Sequence, residues 1–238
     1  MKKAIVIGAS SGIGREVAIQ LIDDDYTVGI TARRVPLLEE LKDKYENKVH
    51  VKKMDISKTE EAMKELEELI KELGGLDLIV INSGYGHVNL ELDWGIEKQT
   101  IEVNALGFTS IANVAYRYFS KQKSGCIVGI SSIAGIRGSS YSPAYGATKS
   151  YLSNYLEGLR CKAKKEKMDI KVIDIKPGFV DTAMGQGDKA FWVAPVEVAA
   201  KQILEVIKKG KEKAVVTKRW RLIAWLMRII PEWLYYKI

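Results

Sequence analysis

Seven short, apolar, β-branched runs alternate along this chain with longer stretches of helical periodicity, and that rhythm leaves few folds open. The runs cover residues 4–7, 27–31, 49–53, 76–81, 126–130, 170–175 and 214–217. They lack strict in–out alternation, as strands buried on both faces should. Helical patterns lie between them near 12–24, 35–46, 58–73, 95–120, 143–167 and 195–208. In the third, Met63, Leu66, Leu69, Ile70 and Leu73 repeat at helical spacing with charges elsewhere. The alternation predicts an α/β fold: a doubly wound parallel sheet of about seven strands with helices on both faces. No linker, repeat or low-complexity segment interrupts the 238 residues, so a single domain is expected.

Charge narrows the function. The chain carries 37 basic and 30 acidic residues, a net +7 with both histidines neutral. Residues 1–200 hold 27 of each sign, whereas 201–238 hold ten basic and three acidic. A nucleic-acid groove spread over the fold is therefore not expected, and the excess charge reads as a local basic tail. Cys126 and Cys161 are too few for a disulfide framework or a cysteine-rich zinc site. His50 and His87 have no partner at ligand spacing, so no metal is expected. Cys126 reads as a small buried hydrophobe and Cys161 as a packing residue. The first residues are too short for a signal-peptide core, and no run of about 18 apolar residues exists, which points to a cytoplasmic protein without a spanning helix.

Directly after the first strand comes Gly8-Ala9-Ser10-Ser11-Gly12-Ile13-Gly14, followed by the apolar helix face of Val17, Ala18 and Leu21. Gly8 allows a tight exit, Gly12 a close backbone approach to a pyrophosphate, and Gly14 close helix–sheet packing. The helix N-terminus offers free N–H groups to the anion. This context predicts nucleotide binding. The second strand ends Ala32-Arg33-Arg34, without the carboxylate that usually holds an NAD ribose. Arg33 and Arg34 suit a 2′-phosphate instead, so NADP(H) is expected over NAD(H).

Tyr145 and Lys149 stand four residues apart, on one helix face. An ammonium there favours phenolate and would lower the Tyr pKa toward a useful value. Ser132 lies thirteen residues earlier, just past a buried strand, where open α/β sheets keep their chemistry.

With these pieces the chain resembles a short-chain dehydrogenase/reductase of the small single-domain kind, from Lys3 to about Ala200. Gly8–Gly14 matches the cofactor turn, including Ser10, Ser11, Gly12 and Ile13. Asp55, followed by Ile56, matches the acid that contacts the adenine. Asn82-Ser83-Gly84 stands where the family usually has Asn-Ala-Gly. Asn104, Ser132, Tyr145 and Lys149 match the catalytic tetrad. Pro177-Gly178-Phe179-Val180-Asp181-Thr182 matches the loop whose threonine meets the nicotinamide amide. The resemblance implies a Rossmann-type fold and a hydride transferred between nicotinamide and a carbonyl or alcohol. It implies that Tyr145 moves the proton, Ser132 holds the substrate oxygen, Lys149 tunes Tyr145 and holds the ribose, and Asn104 positions a relay water. It also implies a homodimer or higher oligomer through the helices near 95–120 and 143–167.

Three questions remain open in the sequence. Phe191 and Trp192 either wall the substrate pocket or pack their loop onto the next helix. His87 is either a substrate contact or a surface histidine. Beyond a 1–217 domain, the basic tail 218–238 carries Leu222, Trp225, Leu226, Ile229 and Ile230 in a helical stripe that Pro231 should end. That helix could cover the pocket, form a dimer interface or lie on an acidic membrane surface. The tail resembles those of family reductases that handle hydrophobic carbonyls. The alternatives to a carbonyl reductase are a 3-oxoacyl-thioester reductase and a non-catalytic NADP-binding sensor or scaffold. An extended-branch epimerase needs more chain than this.

Overall fold

The computed structural model describes residues 1–183 and 191–237. Its strands are β1 (Lys2–Ile7), β2 (Tyr26–Ala32), β3 (Val49–Lys53), β4 (Leu78–Ile81), β5 (Ser124–Ile130), β6 (Asp169–Pro177) and β7 (Lys213–Val216). They form one parallel sheet in the order β3-β2-β1-β4-β5-β6-β7. The order reverses between β1 and β4, which opens a crevice at the strands' carboxyl ends, the usual ligand position in such sheets. This is the seven-stranded Rossmann-like sheet that the alternation predicts.

The helices are α1 (Gly12–Asp23), α2 (Pro36–Tyr45), α3 (Thr59–Leu73), α4 (Trp94–Ile101), α5 (Phe108–Gln122), α6 (Pro143–Lys165), α7 (Val196–Lys208), α8 (Trp220–Ile229) and α9 (Glu232–Tyr235). Two apolar cores sandwich the sheet. One gathers Val6, Val28, Val80 and Val128 with Val17, Leu21, Leu38 and Ile203. The other gathers Ile5, Ile7, Ile79 and Ile127 with Leu66, Leu69, Phe108, Ile111 and Leu156. Successive strand residues thus feed opposite cores, so neither face is free to be polar.

Two local features depart from the sequence reading. The helix expected across 95–120 is broken by a π-helical turn at Glu102–Gly107. The extra residue per turn lets Gly107 press against Ile56, whose carbonyl oxygen would lie 2.5 Å from any Cβ there. Cys161, read as packing, is exposed, while Cys126 is only partly covered. Burial still pushes the Cys126 thiol up to about 12. Among the described residues no helix is long and apolar enough to cross a membrane, and no cluster of three metal-ligating side chains occurs.

Candidate active site

The crevice begins at the glycine turn. Gly8 and Gly12 hold φ of 85° and 57°, a left-handed backbone that side-chain-bearing residues rarely adopt. The turn is fastened on both sides. The Gly8 amide donates to Thr31 O at 2.8 Å, and Asn82 Nδ2 donates to Gly8 O at 3.0 Å. Asn82 therefore ties the end of β4 to the end of β1. At the head of α1, Ser11 is the N-cap but its side chain makes no capping bond. Both Ser10 Oγ and Ser11 Oγ instead accept from Arg34 Nη2, at 2.9 and 2.8 Å. Arg34 is thereby held over the turn, while Arg33 is exposed at the end of β2. An open helix N-terminus with a guanidinium fixed beside it fits an anionic, phosphate-bearing cofactor.

Other expected cofactor residues line the same crevice edge. Asp55 follows β3 and accepts from Ser57 N and Oγ at 3.1 and 2.8 Å. Ile56 is buried, so any contact from it would use its backbone. Gly84 lies close to Lys149, since a Cβ there would stand 3.3 Å from its Nζ. Across the crevice, Pro177 ends β6 and the Gly178 amide donates to Val216 O at 2.6 Å. Val180 bridges Ala194, and Thr182 Oγ1 donates to Val180 O at 3.3 Å. Thr182 Cγ2 stands 2.9 Å from where a Gly12 Cβ would be, so the loop after β6 meets the glycine turn.

Ser132, Tyr145 and Lys149 converge between these walls. Ser132 follows β5 and caps a short 3₁₀ turn, its Oγ accepting from Ala134 N at 3.1 Å. Tyr145 and Lys149 sit on the first turns of α6, with the ammonium 5.6 Å from the ring centroid. The expected electrostatics need correction. Burial raises the Tyr145 phenol above its usual value, and only Ser132 opposes it. The Lys149 Nζ donates to Ile130 O at 2.9 Å. Burial also pulls Lys149 down to about 8, with Asp174 acting against the shift. Lys149 is thus still mostly charged at neutral pH but gives up its proton more readily than a free lysine.

Asn104 sits in the π-helical turn and is buried. Its Oδ1 accepts from Tyr85 N at 2.8 Å, and its Nδ2 donates to Tyr85 O at 2.8 Å and Thr148 Oγ1 at 3.1 Å. The side chain thereby ties the Tyr85 loop to Thr148 on α6.

Three features escaped the sequence reading. Asp174, almost wholly buried in β6, accepts from Ser131 Oγ at 2.5 Å and pairs with Lys176. Lys176 also bonds Ser153, one turn beyond Lys149 on α6. A buried ion pair therefore lies beside Ser131, the neighbour of Ser132, and beside the α6 turn that carries Lys149. Gly86 lies flat on Tyr145: a Cβ there would stand 2.4 Å from Tyr145 Cδ2. Trp220 seals the floor of the loop after β6, where a Cβ on Gly178 would meet its indole at 2.2 Å. Only the last had a signal in the sequence, a tryptophan within a basic run.

Phe191 and Trp192 lie against Trp220, with ring centroids 4.9 and 6.3 Å away, and both remain about half exposed. Residues 184–190 of that loop lie outside the described residues. His87 is exposed, its ring 4.8 Å from that of Tyr85.

The sequence matches the short chain dehydrogenase family profile across residues 2–191. It is 31% identical over 228 residues to a protein of Myxococcus xanthus described as an uncharacterized oxidoreductase, covering 93% of this chain and 88% of that one. The fold is similar to an alcohol dehydrogenase from Thermococcus sibiricus solved with 5-hydroxy-NADP, with TM-score 0.80 and 24% identity over 91% of this chain and 96% of that one. It is also similar to a 3-ketoacyl-(acyl-carrier-protein) reductase from Brucella melitensis solved with NADH, with TM-score 0.80 and 20% identity over 90% and 94%. A glycine turn, a crevice at the switch point and a converging serine, tyrosine and lysine are joined by sequence kinship along most of the chain: the protein is an oxidoreductase of the short-chain dehydrogenase/reductase family.

Proposed function

We propose that the protein is an NADP(H)-dependent oxidoreductase that interconverts a carbonyl and an alcohol, with a hydrophobic substrate. The observation that carries the cofactor preference is Arg34, pinned across Ser10 and Ser11 where a ribose 2′-phosphate would lie, with no carboxylate ending β2. Gly8, Gly12, Gly14 and the α1 N-terminus would hold the pyrophosphate, and Asp55 the adenine. When bound, the nicotinamide supplies or accepts the hydride. Thr182 and Lys149 would hold its amide and ribose.

The chain's own groups handle the oxygen. Ser132 would donate a hydrogen bond to the substrate oxygen and stabilise its developing charge. Tyr145, whose phenol burial keeps protonated, is poised to donate a proton to a carbonyl. Lys149 would balance the charge left on Tyr145, with Asp174 keeping that lysine protonated. The apolar preference rests on exposed Val88 and Leu90 on the loop that leaves Gly86, on exposed Trp94 at the start of α4, and on half-exposed Phe191 and Trp192 after β6. In this reading residues 1–217 are the catalytic domain and 218–238 an appended tail. Subunits pair through the α4–α5 region and α6, where Leu106 and Tyr151 are exposed.

Titrating NADPH and NADH while following protein fluorescence tests the cofactor reading. NADPH binds more tightly, and Arg34→Ala removes most of the difference; equal affinities for both would overturn the preference. A 3-oxoacyl thioester is the second substrate reading: a basic rim could attract an acidic carrier, but the long C-terminal tail argues against it. Peripheral contact with a membrane is a separate consequence of that tail.

A further inference from the structure

The tail does more than close the fold. α8 has two apolar faces. Trp220 and Ala224 are buried and Ile223 and Met227 half-buried, and this inner face packs on the loop after β6. Leu222, Trp225, Leu226 and Ile229, four residues of the helical stripe seen in the sequence, face outward. Trp225 is 55% and Leu222 63% exposed. At about 100° per residue these four side chains form a strip opposite Trp220 and Ala224. A helix covering a pocket should turn its polar side to water; this one turns apolar side chains there, so the pocket-cover reading accounts for only its inner face.

The helix is also firmly mounted. Trp220 meets Phe179 edge-on and Phe191 at a tilt, at 5.4 and 4.9 Å between centroids. At the other end Arg137 Nη1 donates to Ile230 O at 3.1 Å, and Tyr235 OH donates to Gly138 O at 2.6 Å. Arg137 also lies over the Tyr235 ring at 4.6 Å. α8 therefore bridges the loop after β6 and the loop after Ser132, both of which border the site. The exposed strip is a fixed surface at that border.

Its flanks are cationic. Exposed Lys218, Arg219, Arg221 and Arg228 accompany α8, and Arg219 and Arg221 project to either side of the strip. Exposed Trp233 and Tyr236 follow on α9, with Lys237 and the single acid Glu232. A second copy placed face to face would bring two such basic flanks together with almost no acid to meet them. Tryptophan and leucine on one side with basic residues beside them fit an anionic lipid surface, where the apolar side chains enter the acyl boundary and the cations meet headgroups.

We propose that the outer face of α8 docks on an anionic lipid bilayer, with the helix lying in the interface plane and the active-site border turned toward the membrane. The proposal does not depend on the reaction catalysed, because binding is read without turnover.

The test is co-sedimentation of the full chain with vesicles of phosphatidylcholine alone and of phosphatidylcholine mixed with phosphatidylglycerol. The wild type should pellet with the mixed vesicles, less so as salt rises. The double variant Trp225→Ser, Ile229→Ser should lose binding while keeping its circular dichroism and NADPH affinity. Arg219→Ala with Arg221→Ala should weaken binding roughly thirty-fold. No pelleting at low salt, or equal pelleting with both vesicle types, would overturn the proposal. So would an oligomer in light scattering that Trp225→Ser, Ile229→Ser dissolves, since a second copy would then cover the strip.

Discussion

Asp174→Asn tests whether the buried ion pair beside the site stabilises the fold. Asp174 is 1% exposed, and its carboxylate meets Ser131, Lys176 and the charge of Lys149. Asparagine keeps an acceptor for Ser131 but leaves the Lys176 ammonium facing only the Ser153 and Ser131 hydroxyls. Burial already lowers the Lys176 pKa, and Asp174 is what opposes that. Breaking a buried pair from one side costs about 3–5 kcal/mol, out of a total stability of about 5–15 kcal/mol. With a urea slope of about 2.5 kcal/mol per molar, the midpoint falls by about 1.5 M. Adding Lys176→Met removes the orphaned charge and should recover the loss to within about 1 kcal/mol of wild type. The four urea curves form a double-mutant cycle with a coupling energy above about 2 kcal/mol. Asp174→Asn also removes support for protonated Lys149, so that lysine titrates below its present value of about 8. A single variant as stable as wild type, or additive effects in the cycle, would refute the reasoning.

Three further outcomes follow from the site. Gly86→Ala drives a methyl into the Tyr145 ring, and steady-state kinetics should show kcat reduced by about a hundred-fold with NADPH affinity unchanged; unchanged kcat would show that the ring is free to move. The Lys149 pKa is depressed from 10.5 to about 8, so the unfolded chain binds the extra proton between those values and stability rises with pH across that window. Denaturation at pH 7 and at pH 10.5 should show wild type gaining about 3 kcal/mol relative to Lys149→Met, and no relative gain would contradict the burial cost. A thiol reagent should label exposed Cys161 in the native protein and both cysteines in urea, because the Cys126 thiol is pushed up to about 12; two native labels would refute that.

The fold was legible because its signal is repeated. Each β-branched run separately predicts a strand, and the order of runs and helices leaves one parallel sheet. The glycine turn is legible from its local spacing, whereas Ser132, Tyr145 and Lys149 gained their reading only together with the family resemblance, since a Tyr and a Lys four residues apart are common by chance. Asp174 and Lys176 were not, since two charges in a strand read as solvent-facing until the register with β5 and β7 places them against Ser131. Gly86 was hidden because its reason lies 59 positions away, in the ring of Tyr145. The π-helical turn leaves no mark in hydrophobic periodicity. In α8 the periodicity correctly gave a helix ended by Pro231, but both its faces are apolar. Burial there was decided by one contact, Trp220 against Gly178 and Phe179, which periodicity does not encode.

The central claim is that Tyr145 moves the proton in an NADPH-linked carbonyl reduction. The most direct measurement is NADPH oxidation with an apolar ketone by wild type and Tyr145→Phe, with NADPH affinity determined on the same samples. Loss of the general acid should reduce turnover by about a thousand-fold, with NADPH affinity kept within a few-fold. Turnover retained in Tyr145→Phe, with cofactor still bound, would contradict the mechanism.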